Sequence, residues 1–190
     1  MKFRCLFLLL LPALAASAET YKIDAEHSQI AFTIHQFVST VRGDFHRFSG
    51  MIEVNREHPE GSSVIARISV ESIDTKIKKR DQHLLSSDFF NAGKFPEIIF
   101  KSRSVKQTGE NSGDITGDFT MHGVTKPMTL HVKLATAKSS DSLPTRTRWI
   151  VTTDPINRKD FGLTFGNATE SVSGISNNVT AVIEIEAVQK

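Results

Sequence analysis

The chain has 190 residues, with 23 basic side chains, 21 acidic side chains and a single cysteine. No block of Lys or Arg stands clear of acidic residues, which argues against the basic patch that nucleic-acid binders use. The length suits one domain with its own hydrophobic core, and one cysteine cannot build a disulfide framework.

The first 18 residues have the pattern of a secretory signal peptide. Lys2 and Arg4 give a charged start, residues 6–11 form an apolar run, and Ala16-Ser17-Ala18 supplies a small-residue cleavage site. The apolar run is too short to span a bilayer, which disfavours a retained anchor. We therefore predict a cleaved leader and a single mature domain at residues 19–190.

Cleavage of this leader changes the composition of the chain. It removes Cys5 together with two of the 23 basic residues, so that 21 basic side chains face 21 acidic ones. The mature protein is then expected to have no thiol, no disulfide and a net charge near zero. Its stability must come from a packed core.

Alternating apolar and polar residues predict a series of β-strands along the mature chain. Turns rich in Gly, Pro, Asn and Ser separate several of them, at residues 58–61, 108–113 and 139–144. About eight antiparallel strands suit either a sandwich or a closed barrel, and the pattern alone leaves both open. The predicted strands cover residues 30–35, 45–54, 64–71, 98–105, 115–121, 128–135, 148–153 and 179–187.

The clearest β-hairpin runs through residues 117–132, with the sequence GDFTMHGVTKPMTLHV. His122-Gly123 mark its turn, because glycine readily adopts a positive φ. Apolar residues alternate with polar ones on both sides of the turn, so one face of the hairpin should be buried. Phe119 and Met128 are assigned to that inner face.

Two segments interrupt the strand pattern. Residues 78–90, KKRDQHLLSSDFF, place Leu84 and Leu85 ahead of Phe89 at a spacing that predicts a short α-helix or 3₁₀ stretch. Residues 157–162, NRKDFG, are too polar and too few for a strand, and they predict a helical turn.

The polar residues show no pattern typical of a metal centre or a hydrolase. The seven histidines lack H-x-H, HExxH and Cys/His spacings, which favours structural or surface roles. Asp24, His27 and Ser28 contain the three groups of a hydrolase triad, but they share one strand start, where alternate side chains face opposite sides. No nucleophile elbow, phosphate-binding glycine loop or dinucleotide fingerprint is present. We predict no metal, no cofactor and no catalytic residue.

Five sequence phrases follow one another in a fixed order along the mature chain. They are ID..HS.I.F..H at residues 23–35, G.F..F.G at 43–50, T....RD.HL.S.DFF at 75–90, GD.T..GVTKP at 117–127 and INR.DFG at 156–162. In these phrases the chain resembles the YceI-like family of lipocalin-like bacterial proteins that bind polyisoprenoids. The resemblance implies an all-β fold, an antiparallel barrel of about eight strands with short helical inserts.

The resemblance also implies an apolar tunnel that holds the tail of one long isoprenoid. A barrel of eight strands can be filled by its own side chains or can hold a single ligand, so a dry, close-packed core is the alternative. Phe, Met and Ile suit an isoprenoid, because its methyl branches need apolar and adaptable contacts. The residues assigned to the tail-lining wall are Phe32, Ile34, Phe45, Phe48, Ile68, Phe89, Phe90, Phe119, Met121, Met128, Leu130 and Phe161.

The polar residues of the two helical segments are assigned to the ligand's head group. These residues are Arg80, Asp81 and His83 in the first segment, and Asn157 and Arg158 in the second. Arg offers a bidentate fork to phosphate, and Asn offers an amide to phosphate or a quinone carbonyl. The alternatives are an exposed, solvated charge cluster in the first segment and a loop brace in the second.

The function implied by the resemblance is periplasmic binding of a polyprenyl phosphate or an isoprenoid quinone, without catalysis. Transport, storage and stress protection are all compatible with such binding. Two rival classes stay open: an enzyme acting on a bound lipid at Arg80, Asp81 and His83, and a partner-binding module with a dry barrel. A homodimer and a membrane redox protein are partners left open, and nucleic acid is not expected.

Overall fold

The computed structural model describes residues 18–135, 145–164 and 173–190. Residues 1–17 of the predicted leader and the turn predicted at residues 139–144 lie outside the described residues. One α-helix, α1 (Lys78–Leu85), and 3₁₀ turns at Pro59–Gly61, Val70–Ser72 and Arg158–Phe161 accompany the strands. The strands are β1 (Glu19–Gln36), β2 (Ser39–Phe45), β3 (Phe48–Val54), β4 (Ser63–Ser69), β5 (Ile73–Asp74), β6 (Glu97–Gly109), β7 (Ser112–Met121), β8 (Val124–Leu134), β9 (Arg146–Thr153), β10 (Ile156–Asn157) and β11 (Ile175–Gln189).

Eight strands close into an antiparallel barrel. Neighbours pair in the order β11-β9-β8-β7-β6-β4-β3-β1, and β1 returns to pair with β11 along most of its length, from Tyr21 opposite Gln189 to Gln36 opposite Ile175. Closure removes the open edges that a sandwich would leave. The barrel is therefore confirmed over the sandwich.

Several predicted strand boundaries are wrong: the strand predicted at residues 30–35 begins at Glu19, the one predicted at 64–71 ends at Ser69, before a 3₁₀ turn, and the one predicted at 179–187 begins at Ile175. The segment predicted as a single strand at residues 45–54 begins earlier, at Ser39, and is interrupted at His46 and Arg47. The interruption marks a change of partner strand. On the edge that faces away from β1, β2 pairs with β5, whereas β3 pairs with β4. On their other edge both segments pair with β1. Strand β3 pairs with the first residues of β1, and β2 pairs with its last residues.

The β7–β8 hairpin forms as the sequence predicts. His122 and Gly123 have φ values of 52° and 76°, and two successive positive φ angles are the mark of a type I′ turn. His122 Nδ1 lies 2.9 Å from the carbonyl oxygen of Phe161, so the turn is joined to the second helical segment. Ile115 and Leu130 are paired residues on the cavity wall, which confirms the predicted phase of both strands.

The two ends of the barrel are built from different elements. We call the end that carries α1, the 3₁₀ turn at Arg158–Phe161 and the β1–β2 and β7–β8 turns the helical end. The opposite end, where β1 begins and β11 finishes, is the tyrosine end, named for Tyr21. Among the described residues, no helix is long and apolar enough to cross a membrane.

Two clusters of buried side chains line the interior. The smaller cluster lies at the tyrosine end and consists of Tyr21, Ile23, Ile185 and Ala187. The larger cluster lies in the middle and at the helical end. Its buried members are Ile30, Phe45, Val70, Ile73, Phe89, Phe90, Ala92, Ile98, Phe100, Phe119, Met121, Phe161 and Leu163.

Candidate functional site: the barrel cavity

A cavity of about 1060 Å³ occupies the inside of the barrel. Its wall reaches from Ile175 and α1 at the helical end to Ile52 and Val54 near the tyrosine end. Ligand pockets for drug-sized molecules span roughly 300–1000 Å³, so this cavity is large and elongated for a protein of this size. A dry, filled barrel would leave no such space.

Most of the residues assigned to a tail-lining wall border this cavity. Eleven of the twelve do so, namely Phe32, Ile34, Phe45, Phe48, Ile68, Phe89, Phe90, Phe119, Met121, Met128 and Leu130. Phe161 is the exception among the described wall residues. Its buried ring packs edge-on against Phe119, with the ring centroids 5.4 Å apart, and so supports the wall from behind. Contact of these side chains with a ligand stays a prediction.

Two inward glycines make room for the rings, and the sequence analysis missed them. A Cβ atom at Gly43 would lie 2.4 Å from the ring of Phe32, and one at Gly117 would lie 2.7 Å from the ring of Phe100. Neither distance is tolerable for a real side chain, so glycine is required at both positions. A glycine that interrupts the apolar face of a strand is the signal that could have identified them.

Arg80 and Asp81 converge on one threonine instead of standing free in solvent. Arg80 donates from Nε to Thr75 Oγ1 (2.7 Å) and from Nη2 to the Thr75 carbonyl oxygen (2.7 Å). Asp81 Oδ1 accepts hydrogen bonds from the Thr75 hydroxyl (2.5 Å) and from its backbone N–H (2.9 Å). Thr75, which is buried, is thus the anchor of α1, and the sequence analysis missed it.

Only part of the predicted head-group set borders the cavity on the α1 side. Arg80 and His83 lie on its wall. Asp81 is not among the residues that border the cavity, and its carboxylate accepts hydrogen bonds from Thr75. An arginine fixed by two hydrogen bonds at a cavity edge still presents positive charge there, which suits an anionic head group.

Arg158 borders the cavity, but its contacts favour a structural role. Only 1% of the residue is exposed, and each of its guanidinium nitrogens donates to a protein acceptor: Nε to Ser176 O (3.0 Å), Nη1 to Leu163 O (2.6 Å) and Nη2 to Asn177 Oδ1 (3.4 Å). A buried cation needs this full set of acceptors. The geometry therefore supports the alternative interpretation, a brace that joins the 3₁₀ turn to β11.

Asn157, the other residue of that predicted pair, also has a local role. Its side-chain oxygen accepts a hydrogen bond from the backbone N–H of Lys159 at 3.1 Å and so caps the 3₁₀ turn. Asn is a favoured residue at such a position because it satisfies an otherwise unpaired N–H group. The head-group assignment of Asn157 is therefore not supported by its contacts.

The tyrosine end contributes polar atoms that the sequence did not single out. Arg56, Gln107, Glu110 and Asn111 border the cavity there. Beside them the hydroxyl of Tyr21 donates to Glu19 Oε2 at 2.9 Å, and burial, reinforced by that hydrogen bond, raises the pKa of the phenol. Tyr21 therefore stays neutral, as a side chain that seals an apolar interior must.

The triad-like group lies within β1, at its irregular stretch between Asp24 and Gln29, and forms a structural cluster. Asp24 Oδ2 lies 2.9 Å from His27 Nδ1 and 2.7 Å from Arg146 Nη1, and the hydrogen bond from Arg146 is the main cause of a lowered Asp24 pKa. The Ser28 hydroxyl donates to the Asp24 carbonyl oxygen and accepts from the backbone N–H of Glu186. These bonds hold an irregular stretch of β1 against β11.

Comparison with known proteins gives consistent matches. Residues 21–187 match the model of the YceI-like domain. Protein YceI of Salmonella newport (strain SL254) is 36% identical over 179 residues, which covers 93% of this chain and 90% of that protein. The crystal structure of Burkholderia cenocepacia BcnA superposes with a TM-score of 0.78 at 21% identity and covers 87% of this chain and 99% of that one. A polyisoprenoid binding domain from Saccharophagus degradans, implicated in plant cell wall breakdown, gives a TM-score of 0.66 at 19% identity, with coverage of 90% and 98%.

Proposed function

Because this chain belongs to the YceI-like family, a family of binding proteins and not known enzymes, we propose that it holds one long isoprenoid lipid in its barrel without transforming it. The observation that carries the proposal is the cavity of about 1060 Å³ with its mainly apolar wall. The structure from Saccharophagus degradans described as a polyisoprenoid binding domain supports it, since that domain has the same barrel fold.

Contact energies are sufficient for such a ligand. Larger ligands gain about 0.3 kcal/mol per heavy atom, so each five-carbon isoprene unit adds on the order of 1.5 kcal/mol. A tail of several units therefore reaches micromolar affinity or better before any head-group contact forms. The phenylalanine and methionine side chains of the wall can adapt to the methyl branches of the tail.

We propose a polyprenyl phosphate or an isoprenoid quinone as the ligand, with its head group near Arg80 and His83. Both residues border the cavity at the helical end, and Arg80 brings a fixed positive charge to its edge. The leader predicted from the sequence supports a periplasmic location, where the protein would carry, store or protect such a lipid.

Native mass spectrometry of the mature protein, followed by organic extraction, tests the proposal. We expect to recover a bound isoprenoid whose mass and chemical structure are unchanged. A protein without bound lipid would favour the dry-barrel module, and a chemically altered lipid would favour an enzyme.

A matched pair of substitutions tests where the lipid lies. Phe119→Asp places a charge on the cavity wall and should abolish lipid retention, whereas Lys133→Asp on the outer face of β8 should leave it intact. If Phe119→Asp does not fold, Ala181→Phe narrows the same cavity without adding charge. Equal lipid retention in the cavity variants and the wild type would contradict the proposal.

A further inference from the structure

The large apolar side chains exposed on this protein are concentrated at the helical end. Among the described residues six are exposed, and four of them, Phe37, Val38, Ile77 and Val124, belong to segments at that end. Phe37 is 72% exposed and Val38 is fully exposed, at the tip of the β1–β2 hairpin. The other two, Ile150 and Val182, lie on the outer wall of the barrel.

The β1–β2 tip uses residues that a turn does not favour. Phe37 has a φ of 50°, a left-handed conformation that bulky residues rarely adopt and that Gly, Asn or Asp would adopt with less strain. Because Phe37 and Val38 are exposed, their apolar side chains add no burial free energy to the stability of the barrel. Backbone strain of this kind persists where surrounding structure imposes it and is often tied to a function.

The surrounding structure holds the Phe37 ring in a fixed position. The backbone N–H of Phe37 donates to the carbonyl oxygen of Gly174 at 2.9 Å. A Cβ atom at Gly174 would lie 2.4 Å from the Phe37 ring, so only glycine leaves room for the ring there. The ring is therefore presented to solvent in a preorganised position, supported by the chain that leads into β11.

The tip stands at the rim of the cavity. Ile34 and Gln36 on one arm of the hairpin, and Val41 on the other, border the cavity, as does Ile175 just beyond Gly174. A lipid leaving the cavity past these residues would meet Phe37 and Val38 next.

Positive charge accompanies the apolar tip at the same end of the barrel. Lys78 and Lys79 are exposed and follow directly after the exposed Ile77. Of the acidic residues nearest in sequence, Asp74 pairs with Lys76 at 2.8 Å and Asp81 accepts hydrogen bonds from Thr75. An exposed apolar tip and two exposed lysines at the same end of the barrel are complementary to a surface with an apolar interior and a layer of negative charge.

We propose that Phe37, Val38, Ile77, Lys78 and Lys79 dock the helical end onto an anionic phospholipid bilayer. Phe37 and Val38 enter the acyl-chain boundary, and the lysines lie against the lipid phosphates. This extends the proposed lipid-binding function, because docking places the cavity rim at the surface from which an isoprenoid enters or leaves.

Vesicle flotation of the mature protein tests this surface. The probes are vesicles of mixed phosphatidylglycerol and phosphatidylcholine, compared with vesicles of phosphatidylcholine alone. The double variant Phe37→Asn/Val38→Ser, in which Asn tolerates the positive φ, should bind the mixed vesicles at least about tenfold more weakly than the wild type. Lys78→Glu/Lys79→Glu should weaken binding about fivefold or more for each lysine, with little change on neutral vesicles.

The matched control removes exposed apolar residues from the barrel wall. Ile150→Ser/Val182→Ser should bind vesicles as the wild type does, and thermal melting checks that each variant is folded. If a tip variant fails to fold, the fluorescence of the Phe37→Trp variant provides a second measurement. The tryptophan emission of this variant should shift to shorter wavelengths when mixed vesicles are added.

Several outcomes would overturn the membrane-docking proposal without affecting the proposal that the cavity binds a lipid. Equal vesicle binding by the tip variant, the wall variant and the wild type would do so, as would an absence of binding by the wild type. A dimer that the tip substitutions convert to monomer would assign the tip to a second copy of this chain. In each case, organic extraction of the same samples tests the proposed function independently. Recovered isoprenoid would support lipid binding in the cavity, and the absence of isoprenoid would contradict it.

Discussion

The tyrosine end and the helical end of this barrel are closed in different ways. At the tyrosine end, Tyr21, Thr147 and Ala187 are at most 1% exposed, and all three project from strands of the barrel itself. At the helical end the covering groups come from α1 and from the 3₁₀ turn that Arg158 braces to β11. The tyrosine end is thus packed mainly by strand side chains, with Arg56 and Glu110 of its turns also bordering the cavity, whereas the helical end is covered by added segments.

The difference bears on where a ligand can enter. Groups that project from hydrogen-bonded strands on both sides move only if the barrel opens, and this requires much of the global unfolding free energy. The helix α1 has no fully buried residue and is anchored through Thr75 by Arg80 and Asp81. Local opening there needs less free energy, so we expect ligand exchange at the helical end.

The largest expected effect concerns the tyrosine end. Tyr21→Ala should lower the free energy of unfolding by about 3–5 kcal/mol, because it empties a large buried site between β1 and β11. Chemical denaturation measures this loss. Val182→Ala, on the exposed wall, is the control and should change stability by no more than about 0.5 kcal/mol. A loss below about 1 kcal/mol for Tyr21→Ala would mean that the tyrosine end is not a rigid seal.

Arg158→Met should give the next largest effect, at the helical end. It leaves the carbonyl groups of Ser176 and Leu163 without their donors, at about 1–3 kcal/mol for each buried acceptor. Denaturation should show the loss, and calorimetric titration should show that a polyprenyl diphosphate and a neutral isoprenoid quinone lose affinity equally. A selective loss for the diphosphate would return Arg158 to the head-group site.

Arg80→Ala distinguishes a ligand contact from a brace in the neighbouring segment. A charge-assisted contact to phosphate is worth about 1.5–3 kcal/mol, and a neutral hydrogen bond about 0.5–1.5 kcal/mol. The diphosphate should therefore lose more affinity than the quinone in calorimetric titration. Arg103→Ala, which breaks an exposed ion pair with Asp118, is the matched control. Equal losses for both lipids with a lowered melting temperature would make Arg80 a structural residue.

The smallest effects concern one exposed carboxylate at each end. The hydrogen bond from Arg146 lowers the pKa of Asp24, and that from Lys76 lowers the pKa of Asp74. Since both folded values lie below the unfolded one, the stabilisation is present above about pH 4 and is lost as the pH falls through the folded values. The stability deficits of Asp24→Asn and Asp74→Asn should therefore shrink in acid denaturation series. A deficit that does not vary with pH would show that neither ion pair contributes through its charge.

Local patterns predicted much of this structure because their causes are local. The alternation in β7 and β8 defines which side chains face inward, and a glycine after His122 specifies the turn between them. The same alternation placed Phe119 and Met128 on the cavity wall. These features depend on residues a few positions apart, so sequence was sufficient for them.

Other features depend on partners that are distant in sequence. The break between β2 and β3 follows from pairing with β5 and β4, which no pattern within residues 45–54 contains. Phe161 has the same apolar character as Phe119, yet it stands behind that ring and not on the cavity wall.

The sequence pattern by itself determined antiparallel strands with two helical inserts, because strand period and turn residues are local, whereas the barrel was implied only by the resemblance to the YceI-like family. Only the tertiary structure decided what the charged residues of those inserts do. Arg80 and Arg158 have identical side chains in similar polar segments, and both border the cavity, but the first is half-buried and bonds to Thr75, while the second is fully buried and enclosed by acceptors near β11. An arginine's role depends on which acceptors and how much water surround it, and both are determined by how the distant strands pack.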